Sequence, residues 1–241
     1  MAERGRAAAL ALALVVVLAG PAMAQDITID MGDGGSLSAR ALQIIALITV
    51  LSLAPGLAVM VTCFPFVVTV LSILRQAIGL QQSPPNMLIV SLALFLTYFV
   101  MAPTFEAAYE AGIAPVVAGQ MELTEGIAAA YEPFRGFMMQ RVDPETLQGL
   151  SALREIPAGE DPGASVLIPS FMLSEVERAF QIGFLVFLPF LIIDLVVAAI
   201  LMSMGMMMVP PAIVSLPFKL AFFVVADGWA LVTGALVRSY F

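Results

Sequence analysis

Residues 41–74 run without a single charged side chain, longer than the roughly 20 apolar residues that one membrane crossing needs. In lipid a backbone must satisfy its own hydrogen bonds, so such a run is confined to helix. Pro55-Gly56 and Pro65 punctuate it. Proline removes a helix donor, and in lipid the freed carbonyl needs another partner. The expectation is one membrane helix ending near Thr62, then a broken continuation that returns toward Arg75, buried against other protein.

Three further blocks follow the same pattern. Residues 87–105 are uncharged, with Pro103 near the end of the block; residues 179–208 hold one charge, Asp194; residues 212–237 hold Lys219 and Asp227. Only 12% of the chain is charged and 61% is hydrophobic, against about 25% charged and 45–50% apolar in a soluble domain. The expected fold class is an all-α membrane protein. It has about four long, partly broken hydrophobic helices in two hairpins, with a small acidic, mainly helical periplasmic segment between them.

The charge is concentrated in that segment. Residues 106–178 carry twelve acids against four arginines, which is the whole net charge of -8. Prolines are spaced through it, short amphipathic helices are expected around 120–155, and AGEDPGA at 158–164 reads as a surface loop. The resulting division is a signal at 1–24, a polar N-terminal segment at 25–40, a first helical hairpin at 41–105, the acidic segment at 106–178 and a second hairpin at 179–241. The connector at 76–86, with Gly79 and Pro84-Pro85, is a tight turn.

The signal reading rests on Arg4 and Arg6, an apolar stretch at 7–19 and the small-x-small trio Ala22-Met23-Ala24, with cleavage expected before Gln25. Together with further apolar spans it points to a bacterial inner membrane. Cytoplasmic loops favour Lys and Arg, and Arg75 is the only charge of the first connector. That connector is therefore expected in the cytoplasm and the acidic segment in the periplasm; Arg238, near the outer end of the last block, runs against the rule.

Several functions are excluded by composition. No basic stripe is present to meet a phosphate backbone, so no nucleic-acid partner is expected. With no histidine and one cysteine, Cys63, neither a His-based triad nor a thiolate metal cluster can form within the chain. There is no Walker-type phosphate loop, and no cofactor is expected.

Two features remain. Asp194 in FLIIDLVVA and Lys219 in LPFKLAFFV are charges among apolar residues, which cost roughly 2.5–3.5 kcal/mol each at mid-bilayer unless paired. They read as a structural ion pair that fixes helix register, or as part of a proton or ion relay with Asp227. Counted from a single hairpin tip, their depths differ by roughly 9 Å, so an in-chain pair should be strained and a pair between subunits fits at least as well. The second feature is MGMMMVPP at 204–211, a hairpin tip. Met204, Met206, Met207 and Met208 could serve as gap fillers, as a deformable pore seal, or as a thioether Cu(I) site; no cysteine or histidine nearby supports a metal.

Read together, these blocks resemble the FliP family of flagellar export-gate proteins and their injectisome counterparts in type III secretion. The resemblance is carried by MVTCFPFVVTVLSILRQAIG at 60–79, QQSPPNM at 81–87, PFRGFM at 133–138, SEVERAFQIG at 174–183, PFLIIDLVV at 189–197, MGMMMVPP at 204–211, LPFKL at 216–220 and VADGW at 225–229. It implies a ring of five subunits joined to two smaller gate membrane proteins inside the basal-body ring, passing unfolded flagellar subunits outward. It also implies apolar helices wrapped by protein above the bilayer, a methionine constriction at Met206, Met207 and Met208 with Met204 beside it, and a charge pair at Asp194 and Lys219. The stretch around Gly159-Glu160-Asp161 departs from the family's pattern.

The expected function is thus a pore-forming, non-enzymatic subunit of a protein export gate. A small-solute or ion transporter using Asp194, Lys219 and Asp227 is the alternative, although no internal repeat is visible. An intramembrane aspartyl enzyme built on Asp194 and Asp227 has no further catalytic signature.

Overall fold

The computed structural model describes residues 36–79, 85–157, 159–206 and 208–241. The signal at 1–24, the segment before residue 36, residues 80–84 of the connector, Ala158 and Met207 lie outside the described residues. The chain divides into two units at Leu51/Ser52. What is described of the first is the opening of helix α1 (Ser36–Met60). Everything else belongs to the second unit.

Within the second unit the elements are α2 (Phe64–Ile78), α3 (Asn86–Ala108), a π-helical turn (Tyr109–Ile113) and α4 (Ala114–Val117), then α5 (Leu123–Arg141), α6 (Pro144–Leu153), α7 (Gly163–Ser203), α8 (Pro211–Val225) and α9 (Gly228–Arg238). The chain is all-helical, and no strand occurs among the described residues. α3 with its continuation, Asn86–Val117, and α7 are each long and apolar enough to cross a membrane. α8 and α9, bent by 61° at their junction, add a third if they count as one span.

The first break falls near Thr62, as expected, but not at a proline. Pro55 lies inside α1, and Pro65 sits in the first turn of α2; in a first turn the missing N–H has no intrahelical partner to lose. The chain breaks instead at Val61–Cys63. Pro103 likewise lies within α3, which runs on to Ala108.

α2 is the axis of the core. Phe66, Val67, Val70, Leu71, Leu74, Ala77 and Ile78 are all buried, a spacing of three and four that makes one continuous helix stripe. They pack on Ile89, Ala93, Leu96 and Val100 of α3, Ala179 and Phe190 of α7, Phe223 of α8 and Leu236 of α9. An apolar helix enclosed by others gains little from leaving lipid, so close van der Waals packing holds this arrangement. A smaller cluster, Met138, Val142, Leu167 and Phe171, joins α5 to the start of α7.

α7 starts at Gly163, well before the charge boundary at residue 179. Helix formation follows backbone continuity and not charge, so the last part of the acidic segment is about the first two-fifths of one long helix. At 1.5 Å per residue its 41 residues span ~62 Å, about twice a hydrocarbon core of roughly 30 Å. Its charged beginning therefore stands outside any bilayer its apolar part occupies. α6 opens on Asp143, whose carboxylate accepts the Thr146 N–H (2.8 Å); this cap, and the Thr146 hydroxyl with it, holds the Asp143 carboxyl below the usual range.

The π-turn meets α5 where both backbones are bare. A Cβ on Gly112 would lie 2.2 Å from the Gly126 carbonyl oxygen and 2.7 Å from the Ala130 nitrogen. Both are backbone atoms and cannot step aside. Gly112→Ala is expected to cost about 1–3 kcal/mol through overpacking, read as a lower melting midpoint in mild detergent. Gly136→Ala in the same helix α5 meets nothing within 4 Å and should be neutral or stabilising by about 0.5–1 kcal/mol. Equal midpoints for the two variants would refute the close-contact account.

Candidate functional site

The second hairpin is stopped by local chemistry. Gly205 takes φ +75°, its N–H donates to the Met202 carbonyl (3.1 Å), and the Met206 N–H reaches back to the Leu201 carbonyl (2.9 Å). This is the Schellman pairing that closes a helix on a left-handed glycine. Pro210 and Pro211 then open α8, where proline is pre-set for a first turn. The tip is therefore a turn from Met204 to Pro210, held at both ends.

Its described methionines are exposed. Met208 is 97% exposed, Met204 and Met206 are also exposed, and Met207 lies outside the described residues. Met204 and Met206 also line an apolar cavity of about 510 Å³ between α7 and α8, with Ile192, Val196, Ile200, Val214 and Phe218. The lining offers nothing to bind a polar solute. No group of three or more His, Cys, Asp or Glu residues able to hold a metal occurs among the described residues.

The charges lie further along the same hairpin. Lys219 Nζ is 2.6 Å from Asp194 Oδ2 within one chain. The strain expected from a single hairpin tip does not arise, because the tip is a seven-residue turn. Asp194 lies as far before the end of α7 as Lys219 lies after the start of α8, to within one residue. The remaining valences are used locally: the Ser215 hydroxyl donates to Asp194 Oδ1 (2.5 Å), and the Lys219 ammonium donates to the Ala77 carbonyl (3.1 Å) at the end of α2. Gly79 terminates α2 at φ +88°, and a Cβ there would come within 3.9 Å of Lys219 Nζ. One ammonium thus pins three helices. Asp227 stands apart from this cluster. It occupies the left-handed bend between α8 and α9 at φ 50°, where Gly228 lets the Phe223 ring approach.

A second charged cluster carries no sequence forecast. Glu175 of α7 is fully buried. Its Oε1 accepts from Arg141 Nε (3.1 Å) and faces Arg178 Nη1 (3.3 Å), and its Oε2 accepts from the Tyr240 hydroxyl. Arg141, the last residue of α5, lies over the Tyr240 ring at 4.0 Å and donates through Nη1 to the Ser239 carbonyl (2.8 Å). Burial, and then the Glu175 charge, hold the Tyr240 phenol protonated well above its ordinary range, so it stays a donor. The chain's last residues are thereby tied to α5 and α7. The one sequence signal was that Glu175 falls on the stripe Phe171, Ser174, Ala179 that α7 buries.

The chain is similar to known proteins along most of its length. A family model described as FliP family matches residues 47–236. The chain is 54% identical over 236 residues to the flagellar biosynthetic protein FliP of Caulobacter vibrioides, covering 96% of this chain and 88% of that protein. It is 44% identical to the protein of the same name from Rhizobium meliloti over 94% and 96% of the two chains. To that of Bacillus subtilis it is 42% identical over 82% and 91%.

Proposed function

Since this chain belongs to the FliP family, we propose that it is a pore-forming subunit of the flagellar type III protein export gate, passing unfolded flagellar subunits across the bacterial inner membrane. It is a membrane protein and not an enzyme. The observation that carries the pore reading is the α7–α8 hairpin. A turn of exposed methionines is presented on two helices whose register is locked by the Asp194–Lys219 pair. A subunit ring that brings such turns together places soft, unbranched side chains on one axis. Hydrophobic constrictions exclude ions by dewetting, and thioether side chains deform around a passing polypeptide.

The complete gate is a ring of this chain, a pentamer, joined to two smaller export-gate membrane proteins within the flagellar basal body. The energy for transport comes from elsewhere in the apparatus. The transporter alternative is weakened by the ion pair itself: both carboxylate oxygens of Asp194 are already engaged, and the adjoining cavity is apolar.

Replacing Met206, Met207 and Met208 together with alanine tests the seal. The assembled gate in planar bilayers or in cells is expected to leak small ions severalfold above the parent, with growth impaired, while the hairpin stays folded because the turn is set by Gly205 and Pro210-Pro211. Leak and growth equal to the parent's would remove the methionines from any sealing role.

A further inference from the structure

We infer that the groove between α3 and α9, with Arg238 at its rim, is a binding site for one anionic phospholipid, its phosphate on the guanidinium and an acyl chain along Phe95 and Phe99. The groove has a volume of about 390 Å³ and is lined from α3 by Phe95 and Phe99 and from α9 by Thr233, Gly234, Val237 and Arg238. Both phenylalanines are exposed. Gly234 leaves the floor open, and a Cβ there would lie 3.5 Å from the Arg238 guanidinium. The guanidinium is thus laid along the groove.

Two independent observations set the polarity of the site. Arg238 is exposed and has no ion-pair partner among the described residues. A guanidinium matches a phosphate in a bidentate geometry. Its neighbours Ser239 and Tyr240 are held by Arg141 and Glu175, so Arg238 stands at the level where α7 passes from its charged beginning to the uncharged stretch after Arg178. On α7 that level is the polar edge of the apolar stretch, and the groove leads inward from it. A lipid has its headgroup at such an edge and its chains below. The same placement accounts for an arginine at the outer end of the last helix, where the charge rule for loops disfavours one. A helix C-terminus attracts arginine in any case, but that attraction is indifferent to lipid headgroup.

The experiment uses the full-length protein in mild detergent, titrated with dioleoyl phosphatidylglycerol or dioleoyl phosphatidylcholine and read by native mass spectrometry. The wild type is expected to retain one phosphatidylglycerol with about a fivefold preference, the effect of one basic side chain near an anionic lipid surface. Arg238→Gln should abolish the preference. Gly234→Leu, which keeps the charge and fills the groove, should reduce retention of both lipids. Equal retention of the two lipids by the wild type, or an unchanged preference in Arg238→Gln, overturns the proposal. So does unchanged retention in Gly234→Leu, or competition by free glycerol phosphate as effective as by the whole lipid.

Discussion

Glu175→Ala is expected to destabilise the protein by about 3–5 kcal/mol, because it leaves arginines buried without their counter-charge. Arg141, whose side chain is 14% exposed, is the group stranded; Arg178, at 35%, can turn to water and contributes less. The melting midpoint of the detergent-purified protein should fall accordingly, and the tail Ser239–Tyr240 should lose its protection from proteolysis. Glu175→Gln should fall between Glu175→Ala and wild type, since its one amide oxygen can still accept from Arg141 or from Tyr240, while the charge and the second acceptor are lost. Tyr240→Phe removes one hydrogen bond and should cost about 0.5–1.5 kcal/mol. This graded series keeps the claim measurable if the alanine variant does not accumulate. A Glu175→Ala protein that melts with wild type would mean that the cluster holds nothing.

The second large effect is expected at Asp194, and its mark is an asymmetry. The Lys219 side chain is 7% exposed and that of Asp194 31%. Asp194→Ala leaves a buried ammonium with only the Ala77 carbonyl, a loss of about 3–5 kcal/mol. Lys219→Ala leaves a carboxylate that water and the Ser215 hydroxyl can still serve, so it should cost clearly less. An apolar pair, Asp194→Leu with Lys219→Met, should recover most of the stability, as replacement of a buried ion pair by packed side chains commonly does. The charge swap Asp194→Lys with Lys219→Asp should rescue only in part, because the Ala77 carbonyl would then face a carboxylate. Thermal midpoints and the yield of assembled complex report all four variants. Asp194→Ala as stable as wild type, or the two alanine variants equally impaired, would contradict a pin made by Lys219.

The sequence foretold the hairpins unevenly, and local chemistry explains where it succeeded. Gly205 and Pro210-Pro211 stop and restart a helix by backbone geometry alone, so the methionine turn could be placed from residue order. Asp194 and Lys219 stood out because charges are costly among apolar neighbours. Their partnership was harder to judge, since it depends on where α7 ends, and a single assumed tip gave the wrong offset. Pro55 and Pro103 both lie inside continuous helices: proline costs a helix one hydrogen bond, and its surroundings decide whether the helix stops.

The buried cluster around Glu175 was barely legible, its only trace being the place of Glu175 on the stripe that α7 buries. Its ties join residues 34, 65 and 98 positions apart, and no local spacing encodes such distances. Sequence by itself determined that this chain is helical, bound for a membrane, acidic in one segment and without histidine, because apolar length, charge and residue type act over a turn or two. Only the tertiary structure decided which charges meet, how far α7 reaches beyond a bilayer and which groove Arg238 borders. Those depend on how helices distant in the chain pack side by side.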